Sequence, residues 1–280
     1  MIVKRIVTGL TFAVIVVILV CLGGIPFTAA LCIIAALACL EFYRIVKSQG
    51  VQPSSWLGIV FSVLLIVNTY IQQYNFSFLP YPRDFTLPLL LVLMTLIPLL
   101  WMLFRPNKDN AFINWGWTVA GILYIGWLLS YYVQIRLVEN GMGWIFLVVS
   151  CTALCDVGAY AVGSNLGKHA MASSVSPGKT WEGSAGGLAT SIIVAVILAI
   201  AFKLPLYYWQ MIAAGLIIGV FAQLGDLVES LLKRNMRAKD AGNLLPGHGG
   251  MLDRVDSHLL IAPVAYYLIV LVNNQGWLPG

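Results

Sequence analysis

The chain has 280 residues, of which 60% are apolar and only 10% are charged. Soluble domains are about 45–50% apolar and about 25% charged, so this composition excludes an ordinary soluble protein and indicates a chain whose solvent is lipid. The net charge of +5 does not call for a nucleic-acid partner, because basic residues that flank membrane spans account for it. No nucleic acid is expected.

The apolar residues come in runs close to the ~20 residues with which a helix crosses a bilayer. Runs such as 192–202 are apolar on every side, which excludes the alternating pattern of an outer-membrane barrel. The sequence predicts an all-α, polytopic membrane protein with about nine spans; eight is the alternative if the first two form a hairpin that enters partway. The predicted spans are 6–22, 25–41, 56–72, 86–104, 117–135, 144–163, 185–203, 207–228 and 258–273.

The distribution of basic residues predicts the orientation of these spans. The chain has 16 Lys and Arg residues. If the N-terminus is cytoplasmic, all of them lie on the cytoplasmic side except three, Arg83, Arg136 and Lys203. Basic residues concentrate on the cytoplasmic side of membrane proteins, so we expect a cytoplasmic N-terminus. The two longest polar loops, 164–184 and 229–257, then share the cytoplasmic side.

The chemistry is expected in the C-terminal half of one integrated membrane domain. Residues 1–143 contain no cluster of ionisable side chains and are predicted to be scaffold helices in contact with lipid. Residues 144–280 contain both cytoplasmic loops and are predicted to form the catalytic region.

Three aspartates lie at the edges of the late spans, where ionisable groups are costly unless they are paired, hydrated or bound to a cation. Asp226 ends the eighth predicted span, and Glu229 follows three residues later. Asp253 and Asp256 precede the ninth span at a spacing that puts both carboxylates on one helix face, where they could hold a divalent cation. Capping of that helix is the alternative role for these two residues.

Capping does not explain Asp226, because a carboxylate at the C-terminal end of a helix opposes the helix dipole. A positive partner is therefore expected, either Lys233 or Arg254 in a salt bridge or Mg²⁺ in a catalytic centre. Asp156, within the sixth predicted span, is a further buried acid and a functional candidate.

A basic, glycine-rich segment lies between these acids, with KRNMRAKD at 233–240 and LPGHGG at 245–250. A basic cluster beside a membrane can be a topology anchor alone. Glycines, however, let backbone N–H groups approach a phosphate, and Lys and Arg neutralise its charge. Together with the acids, this segment is typical of phosphoryl or nucleotidyl transfer.

The other cytoplasmic loop contains SPGKTWEG at 176–183. Its Gly178, Lys179 and Thr180 match the end of a P-loop, but Ser173 stands where a Walker A sequence needs its first glycine, and no α/β context surrounds it. A P-loop is excluded.

The segment 230–256 resembles the signature of the phosphatidate cytidylyltransferase (CDP-diacylglycerol synthase) family. The stretches 176–183 and 156–160 are similar to motifs that accompany it, so the resemblance extends over residues 150–270 approximately. The matching signature positions are Ser230 to Arg234, Lys239, Asp240, Gly242, Leu245, Pro246, His248, Gly249, Gly250 and Asp253 to Asp256.

The resemblance implies a Mg²⁺-dependent reaction in which CTP and phosphatidic acid give CDP-diacylglycerol and pyrophosphate. A phosphate monoester has a second pKa of about 6, so its anion needs no strong general base. We expect Asp226, Asp253 and Asp256 to bind one or two cations at the reacting phosphates. His248 is expected to orient a phosphate oxygen or protonate the leaving group, with a turn-stabilising hydrogen bond as the alternative.

Further side chains are predicted to contact the substrates. Asp156 is expected to line a cavity open to lipid and cytoplasm, while Ser176 and Glu182 are expected to shape their loop or meet the cytidine. The remaining candidates are Lys179, Lys233, Arg234, Lys239 and Arg254 for the phosphates, with Thr180, Tyr160, Asp240, Gly249 and Gly250 near the substrates.

Two other functions are compatible with parts of the pattern. A CTP-dependent polyprenol or phytol kinase would share the basic loop and the carboxylates but transfer the γ-phosphate, and an ion-coupled transporter would use the acids near mid-membrane. A bacterial inner membrane is the expected location, with the active site facing the cytoplasm. A homodimer is suggested by the family resemblance alone.

Overall fold

The computed structural model describes residues 2–73, 85–238, 241–242 and 249–274. Within those ranges the chain forms ten α-helices, one π-helical segment and one two-stranded hairpin. In chain order they are α1 (Ile2–Leu22), α2 (Gly24–Lys47), α3 (Ser55–Gln73), α4 (Thr86–Leu103), α5 (Ala111–Gly121), the π-helical segment (Ile122–Trp127), α6 (Leu128–Leu137), α7 (Gly141–Leu166), β1 (Ala170–Ala172), β2 (Ser176–Thr180), α8 (Trp181–Ala201), α9 (Tyr208–Asn235) and α10 (Leu252–Asn274).

Eight of the helices in these ranges are long and apolar enough to cross a bilayer. One of them is the continuous helix Ala111–Leu137, which joins α5, the π-helical segment and α6, and a shorter apolar stretch, Ala13–Leu22, lies in α1. The prediction of an all-α, polytopic membrane protein with nine or eight spans is confirmed.

Several helices extend beyond the predicted membrane edge. The second and eighth spans were expected to end near 41 and 228, but α2 continues to Lys47 and α9 to Asn235. Hydropathy marks only the part of a helix that lipid covers, whereas polar residues spaced four apart can continue the helix in water. The prediction that Asp226 stands at the end of its helix is therefore wrong, and its carboxylate is not opposed to a helix terminus.

The chain divides into two compact units, Met1–Gln134 with Asn235–Val255 and Ile135–Arg234 with Asp256–Gly280. In the first unit, α3 packs against α2, α4 and the π-helical segment. A buried apolar cluster formed by Leu57, Phe61, Leu65, Met94 and Ile122 lies there. The predicted division near residue 143 within one integrated domain stays a prediction.

Tyr43 fixes α2 against its neighbours in the first unit. Its hydroxyl donates a hydrogen bond to the Thr118 carbonyl at 2.7 Å. Its ring occupies space that two glycines leave open, because a Cβ atom at Gly58 or Gly121 would lie 2.0 or 2.4 Å from the hydroxyl oxygen. Because Glu41 lies on the same helix two residues earlier, these contacts also fix the position of Glu41 relative to α3 and α5.

Small residues allow the helices of the second unit to pack closely. A Cβ atom at Gly187 of α8 would lie 2.8 Å from the Cys155 carbonyl of α7. The Ser191 hydroxyl of α8 donates to the Gly215 carbonyl of α9 at 2.7 Å. Such contacts are typical of membrane helices, which associate through small residues and interhelical hydrogen bonds, and they set α7, α8 and α9 side by side.

Candidate active site

Three carboxylates from α9 and α10 lie close together in the second unit. They belong to Asp226, Glu229 and Asp256, and one oxygen of each lies within 4.8 Å of the other two. Asp226 and Glu229 are three residues apart on α9, so both project from the same face. Carboxylate oxygens at this spacing are suitable ligands for a divalent cation such as Mg²⁺.

Gly225 allows the two helices to bring these carboxylates together. A Cβ atom at this position would lie 2.8 Å from the Ser257 Cα and 3.0 Å from the Asp256 carbonyl oxygen. The absence of a side chain lets the backbones of α9 and α10 touch at the residue that precedes Asp226. The Asp256 carboxylate also accepts the Ser257 N–H at 2.5 Å, which fixes its orientation.

Two lysines lie against the carboxylates. Lys179 Nζ is 2.7 Å from Asp226 Oδ2, and Lys233 Nζ is 2.6 Å from Glu229 Oε2. The Glu229 side chain is fully buried, whereas Asp226 and Lys179 are about a quarter to a third exposed. The sequence offered two partners for Asp226, a salt bridge from Lys233 or Arg254 or a bound Mg²⁺. The structure corrects the first, because the salt bridge comes from Lys179 and Lys233 pairs with Glu229.

The three carboxylates lie close enough together to repel one another. Lys179 and Lys233 supply two positive charges in direct contact against three carboxylates, and Asp156 adds a fourth acid within electrostatic range of Asp256. Asp156 lies on α7 inside a spanning helix, and its side chain is accessible and not packed within the chain. Its expected place in a cavity open to lipid and cytoplasm stays a prediction. An additional cation would reduce the repulsion among these groups.

The predicted cytoplasmic loop 164–184 contains an antiparallel hairpin of β1 and β2. Ser176 begins β2 and is partly buried. The Arg234 guanidinium, near the end of α9, donates through Nε to the Val175 carbonyl at 3.1 Å. Arg234 therefore connects the basic segment to the hairpin, and its predicted role in binding phosphate stays a prediction.

Thr180 and Glu182 shape the join between the hairpin and α8. Thr180 is the N-cap residue of α8, and its hydroxyl accepts the Gly183 N–H at 3.1 Å. Glu182 Oε2 accepts the N–H groups of Lys168 and His169 at 3.1 and 3.2 Å, and Glu182 Oε1 lies 2.5 Å from His169 Nδ1. Of the two predicted roles of Glu182, these contacts correspond to loop architecture.

Asp253 lies in the part of the signature segment that belongs to the first unit. Its hydrogen bonds are to backbone groups of the same segment. Its Oδ2 accepts the Gly250 N–H at 2.8 Å and the Ala241 N–H at 3.1 Å. Gly249 adopts φ +79°, a conformation that favours glycine. These N–H groups precede α10 and do not belong to its first turn. Capping of α10 by Asp253, like its place in a metal site, therefore stays a prediction.

Other predicted residues are distributed around these groups. Arg254 is exposed in the first turn of α10, and Tyr160 is exposed on α7, one turn beyond Asp156. Lys239, Asp240 and His248, predicted as phosphate, substrate and acid groups, lie outside the described residues.

Two acids with clear structural roles were not among the predicted site residues. Glu229 was noted only as a neighbour of Asp226, although its spacing of three residues is the signal for a shared helix face. Glu41 Oε2 accepts the Leu252 N–H at 2.8 Å. The sequence did contain a signal for Glu41, because it is a single acid at the end of an apolar run. Ionisable residues at membrane depth are functional candidates by default.

Comparison with known proteins gives the chain its family. The sequence model of the Cytidylyltransferase family matches residues 3–272. The chain is 35% identical to phosphatidate cytidylyltransferase of Bacillus subtilis over 271 residues, which are 96% of this chain and 98% of that protein. It is 34% identical to phosphatidate cytidylyltransferase of Synechocystis over 283 residues, 91% of this chain and 92% of that protein. The resemblance seen in the sequence is confirmed, and the chain belongs to the cytidylyltransferase family.

Proposed function

We propose that this chain is a phosphatidate cytidylyltransferase that converts CTP and phosphatidic acid into CDP-diacylglycerol and pyrophosphate. The observation that carries the proposal is the grouping of Asp226, Glu229 and Asp256 within 4.8 Å, with Lys179 on Asp226. Acids and lysines in such a group are what transfer between phosphates requires, since the reaction depends on positioning and charge neutralisation. Membership of the family supports the same activity.

The reaction is a displacement at the α-phosphorus of CTP. A phosphate oxygen of phosphatidic acid forms a bond to that phosphorus, and the bond from the α-phosphorus to the oxygen that bridges the α- and β-phosphates breaks. Pyrophosphate leaves with that oxygen. The attacking phosphate is already an anion near neutral pH, with a second pKa of about 6 for such a monoester, so no residue has to act as a strong base.

Lys179 is the residue that we assign to the phosphates of CTP. Its ammonium is bound to Asp226 but remains a quarter exposed, so a nucleotide phosphate can reach it from solvent. Lys179 lies in β2, and the contact with Asp226 therefore couples the hairpin loop to the carboxylates. We expect the ammonium to move from Asp226 toward phosphate when CTP binds.

Mg²⁺ fits the carboxylate group. The residues that would hold it are Asp226, Glu229 and Asp256, because one carboxylate oxygen of each lies within 4.8 Å of the other two. Bound there, Mg²⁺ would neutralise charge on the reacting phosphates. The sequence also assigned Asp253 to the metal site and allowed a second cation. Both remain proposals, because Asp253 is not among the three carboxylates grouped here.

The position of these residues supports a site at the membrane edge. Asp226 and Glu229 lie in the last third of α9, and Asp256 lies in the second turn of α10. Phosphatidic acid is a membrane lipid, so its headgroup would reach such an edge by lateral diffusion. We propose a cytoplasmic orientation in a bacterial inner membrane, as the basic residues predict; a homodimer remains an expectation.

The experiment that tests this function uses CTP labelled separately in the α- and the γ-phosphate. Purified protein in phosphatidic acid-containing micelles with Mg²⁺ should incorporate α-label into lipid and release γ-label as pyrophosphate. Incorporation of γ-label would instead indicate the kinase alternative. Absence of transfer from either position, with normal folding, would contradict an enzymatic function and favour the transporter alternative.

A matched variant ties the activity to the site. Asp226→Asn keeps the size of the side chain and removes one charge, so we expect a large loss of α-label transfer. Asp109→Asn, a change at an exposed acid before α5, is the control and should leave transfer at the wild-type rate.

A further inference from the structure

We propose that Glu41 of α2 is a positioning residue for the reaction, because its carboxylate holds the turn at 249–252 at the start of α10. This residue belongs to the half of the chain that the sequence predicted to be scaffold. All the contacts that carry the inference lie within the first compact unit.

The Glu41 carboxylate satisfies a backbone group that has no other partner in its own helix. Leu252 is the first residue of α10, and the first N–H groups of a helix lack intrahelical acceptors. Its N–H donates to Glu41 Oε2 at 2.8 Å, and Leu252 is fully buried, so water cannot replace the acceptor. A carboxylate is also favourable at the positive end of a helix dipole.

Two glycines of the signature segment make room for this carboxylate. A Cβ atom at Gly242 would lie 2.5 Å from Glu41 Oε1, and one at Gly250 would lie 2.4 Å from Glu41 Oε2. The three atoms nearest to the added Cβ at Gly242 all belong to Glu41. The need for glycine at position 242 therefore follows from Glu41 and does not require a bound phosphate.

Asp253 secures the same turn from the other side. It accepts the N–H groups of Gly250 and Ala241, so two carboxylates from different helices fix the described parts of the segment. A second contact from α2 lies near the start of the segment, where Gln49 Nε2 donates to the Met236 carbonyl at 2.7 Å.

The second carboxylate oxygen of Glu41, Oε1, accepts no hydrogen bond from the described residues. Glu41 is only 3% exposed, and its Oε1 is buried without a hydrogen-bond partner in that part of the chain. This oxygen faces Gly242, so any displacement of the turn would change its surroundings directly. The position of the turn at 249–252 should therefore depend on the length of the side chain at position 41.

The consequence for catalysis rests on the proposed function, because the segment carries the glycines and Arg254 that are predicted to meet phosphate. Loss of a hydrogen bond between a backbone group and a charged side chain lowers the equilibrium constant for the correctly positioned turn by about 10- to 100-fold. If only the correctly positioned turn reacts, kcat should fall by up to that factor while the enzyme remains folded.

Three substitutions at position 41 distinguish the effect of the length of the Glu41 side chain, which reaches the Leu252 N–H, from the effect of its charge. Glu41→Gln keeps an oxygen at the same reach and removes the charge, and we expect kcat within a few-fold of wild type. Glu41→Asp keeps the charge but is one methylene shorter, so we expect a loss as large as that of Glu41→Ala. Wild-type kcat in Glu41→Asp or in Glu41→Ala would show that no side chain reaching Leu252 is needed, and would overturn the positioning role.

A double-mutant cycle tests whether Gly242 is needed because of Glu41. Gly242→Ala should reduce kcat in the wild-type background, since the new methyl group displaces the carboxylate. Combined with Glu41→Ala, it should add no further loss, because the space is then free. Equal losses in both backgrounds would show that Gly242 serves another partner and would overturn the inference.

A matched control separates positioning from general stability. Thr118→Val in the same unit removes a buried hydroxyl that accepts the Ser54 N–H at 2.9 Å and donates to the Asn114 carbonyl at 2.8 Å. Neither partner belongs to the signature segment. Its kcat should stay near wild type even if its thermal midpoint falls as far as that of Glu41→Ala. A parallel loss of kcat in Thr118→Val would assign the Glu41 effect to unfolding.

Hydrogen exchange gives a readout that does not depend on activity. In Glu41→Ala, the amides of Gly250 and Leu252 should exchange faster, while amides of α8 should not change. Unchanged exchange at these amides would contradict the inference even if activity is lost. If wild-type protein transfers no cytidylyl group, the proposed function fails, but the exchange measurement still decides whether Glu41 holds the turn.

Discussion

Substitution of Glu229 by glutamine separates the two roles that the buried carboxylate could have. Glu229 is fully buried and contacts Lys233 at 2.6 Å, so it could serve as the partner of the lysine, as a metal ligand, or as both. Glu229→Gln preserves the size of the side chain and removes its charge. The structure predicts a loss of stability and, separately, a weaker response to Mg²⁺.

The size of the stability effect follows from burial. Lys233 is only 15% exposed, so little solvent screening reduces the interaction. Removing one partner of a buried ion pair leaves the other charge uncompensated and costs about 3–5 kcal/mol. At about 2–4 °C per kcal/mol for chains of roughly this length, the midpoint of thermal unfolding should fall by about 6–20 °C. Scanning fluorimetry of the detergent-solubilised protein measures it.

The size of the metal effect is measured as the Mg²⁺ concentration that gives half-maximal cytidylyl transfer. Loss of a supporting group at a metal site weakens metal binding by about 10- to 100-fold, and we expect a shift in that range. The double variant Glu229→Gln with Lys233→Met removes the unpaired lysine and should recover most of the stability without restoring the Mg²⁺ response. A lower midpoint with an unchanged Mg²⁺ requirement would refute Glu229 as a ligand.

Three further variants test the surrounding geometry. Lys179→Met should raise the KM for CTP in steady-state transfer, because it removes the ammonium at Asp226; an unchanged KM would contradict its assignment to phosphate. Gly225→Ala should lower stability by about 1–3 kcal/mol through overpacking against Ser257, measured by thermal unfolding, and wild-type stability would contradict the helix contact. Thr180→Val should cost about 1 kcal/mol through loss of the cap, with little change in kcat; a larger effect on kcat than on stability would indicate substrate contact.

The spanning helices and part of the site could be predicted from the sequence because each has a local signal. An apolar run of about 20 residues has no better state in lipid than a helix, so the order of the spans followed directly. Asp226 and Asp256 were recognised because acids at the membrane edge are costly without a compensating group. Both lie in the group of carboxylates that the structure brings together.

The residues that were missed depend on where helices end and on contacts distant in sequence. Hydropathy ended the eighth span near 228, which left Glu229 in a loop, whereas the Glu229 and Lys233 pair lies inside α9 and helps to continue it. The partner of Asp226 is Lys179, 47 positions earlier in the chain, a pairing that no local pattern encodes. Glu41 contacts Leu252 across an even longer separation.

The π-helical segment also has no signal in the sequence. Ile122–Trp127 is an apolar stretch within a continuous spanning helix, and hydropathy is the same for α- and π-helical geometry. Its close contact with α3 depends on Gly126, where a Cβ atom would lie 2.5 Å from the Ser62 Cα. This contact is made with another helix, which the sequence of Ile122–Trp127 does not reveal.

The central claim, that Asp226, Glu229 and Asp256 together hold a divalent cation, is tested most directly by Mn²⁺ binding. Electron paramagnetic resonance counts free Mn²⁺ in the presence of purified protein and does not require turnover. We expect saturable binding by wild type and by Asp109→Asn, and binding weakened about tenfold or more in Asp226→Asn and in Asp256→Asn. Wild-type affinity in both site variants would contradict the central claim.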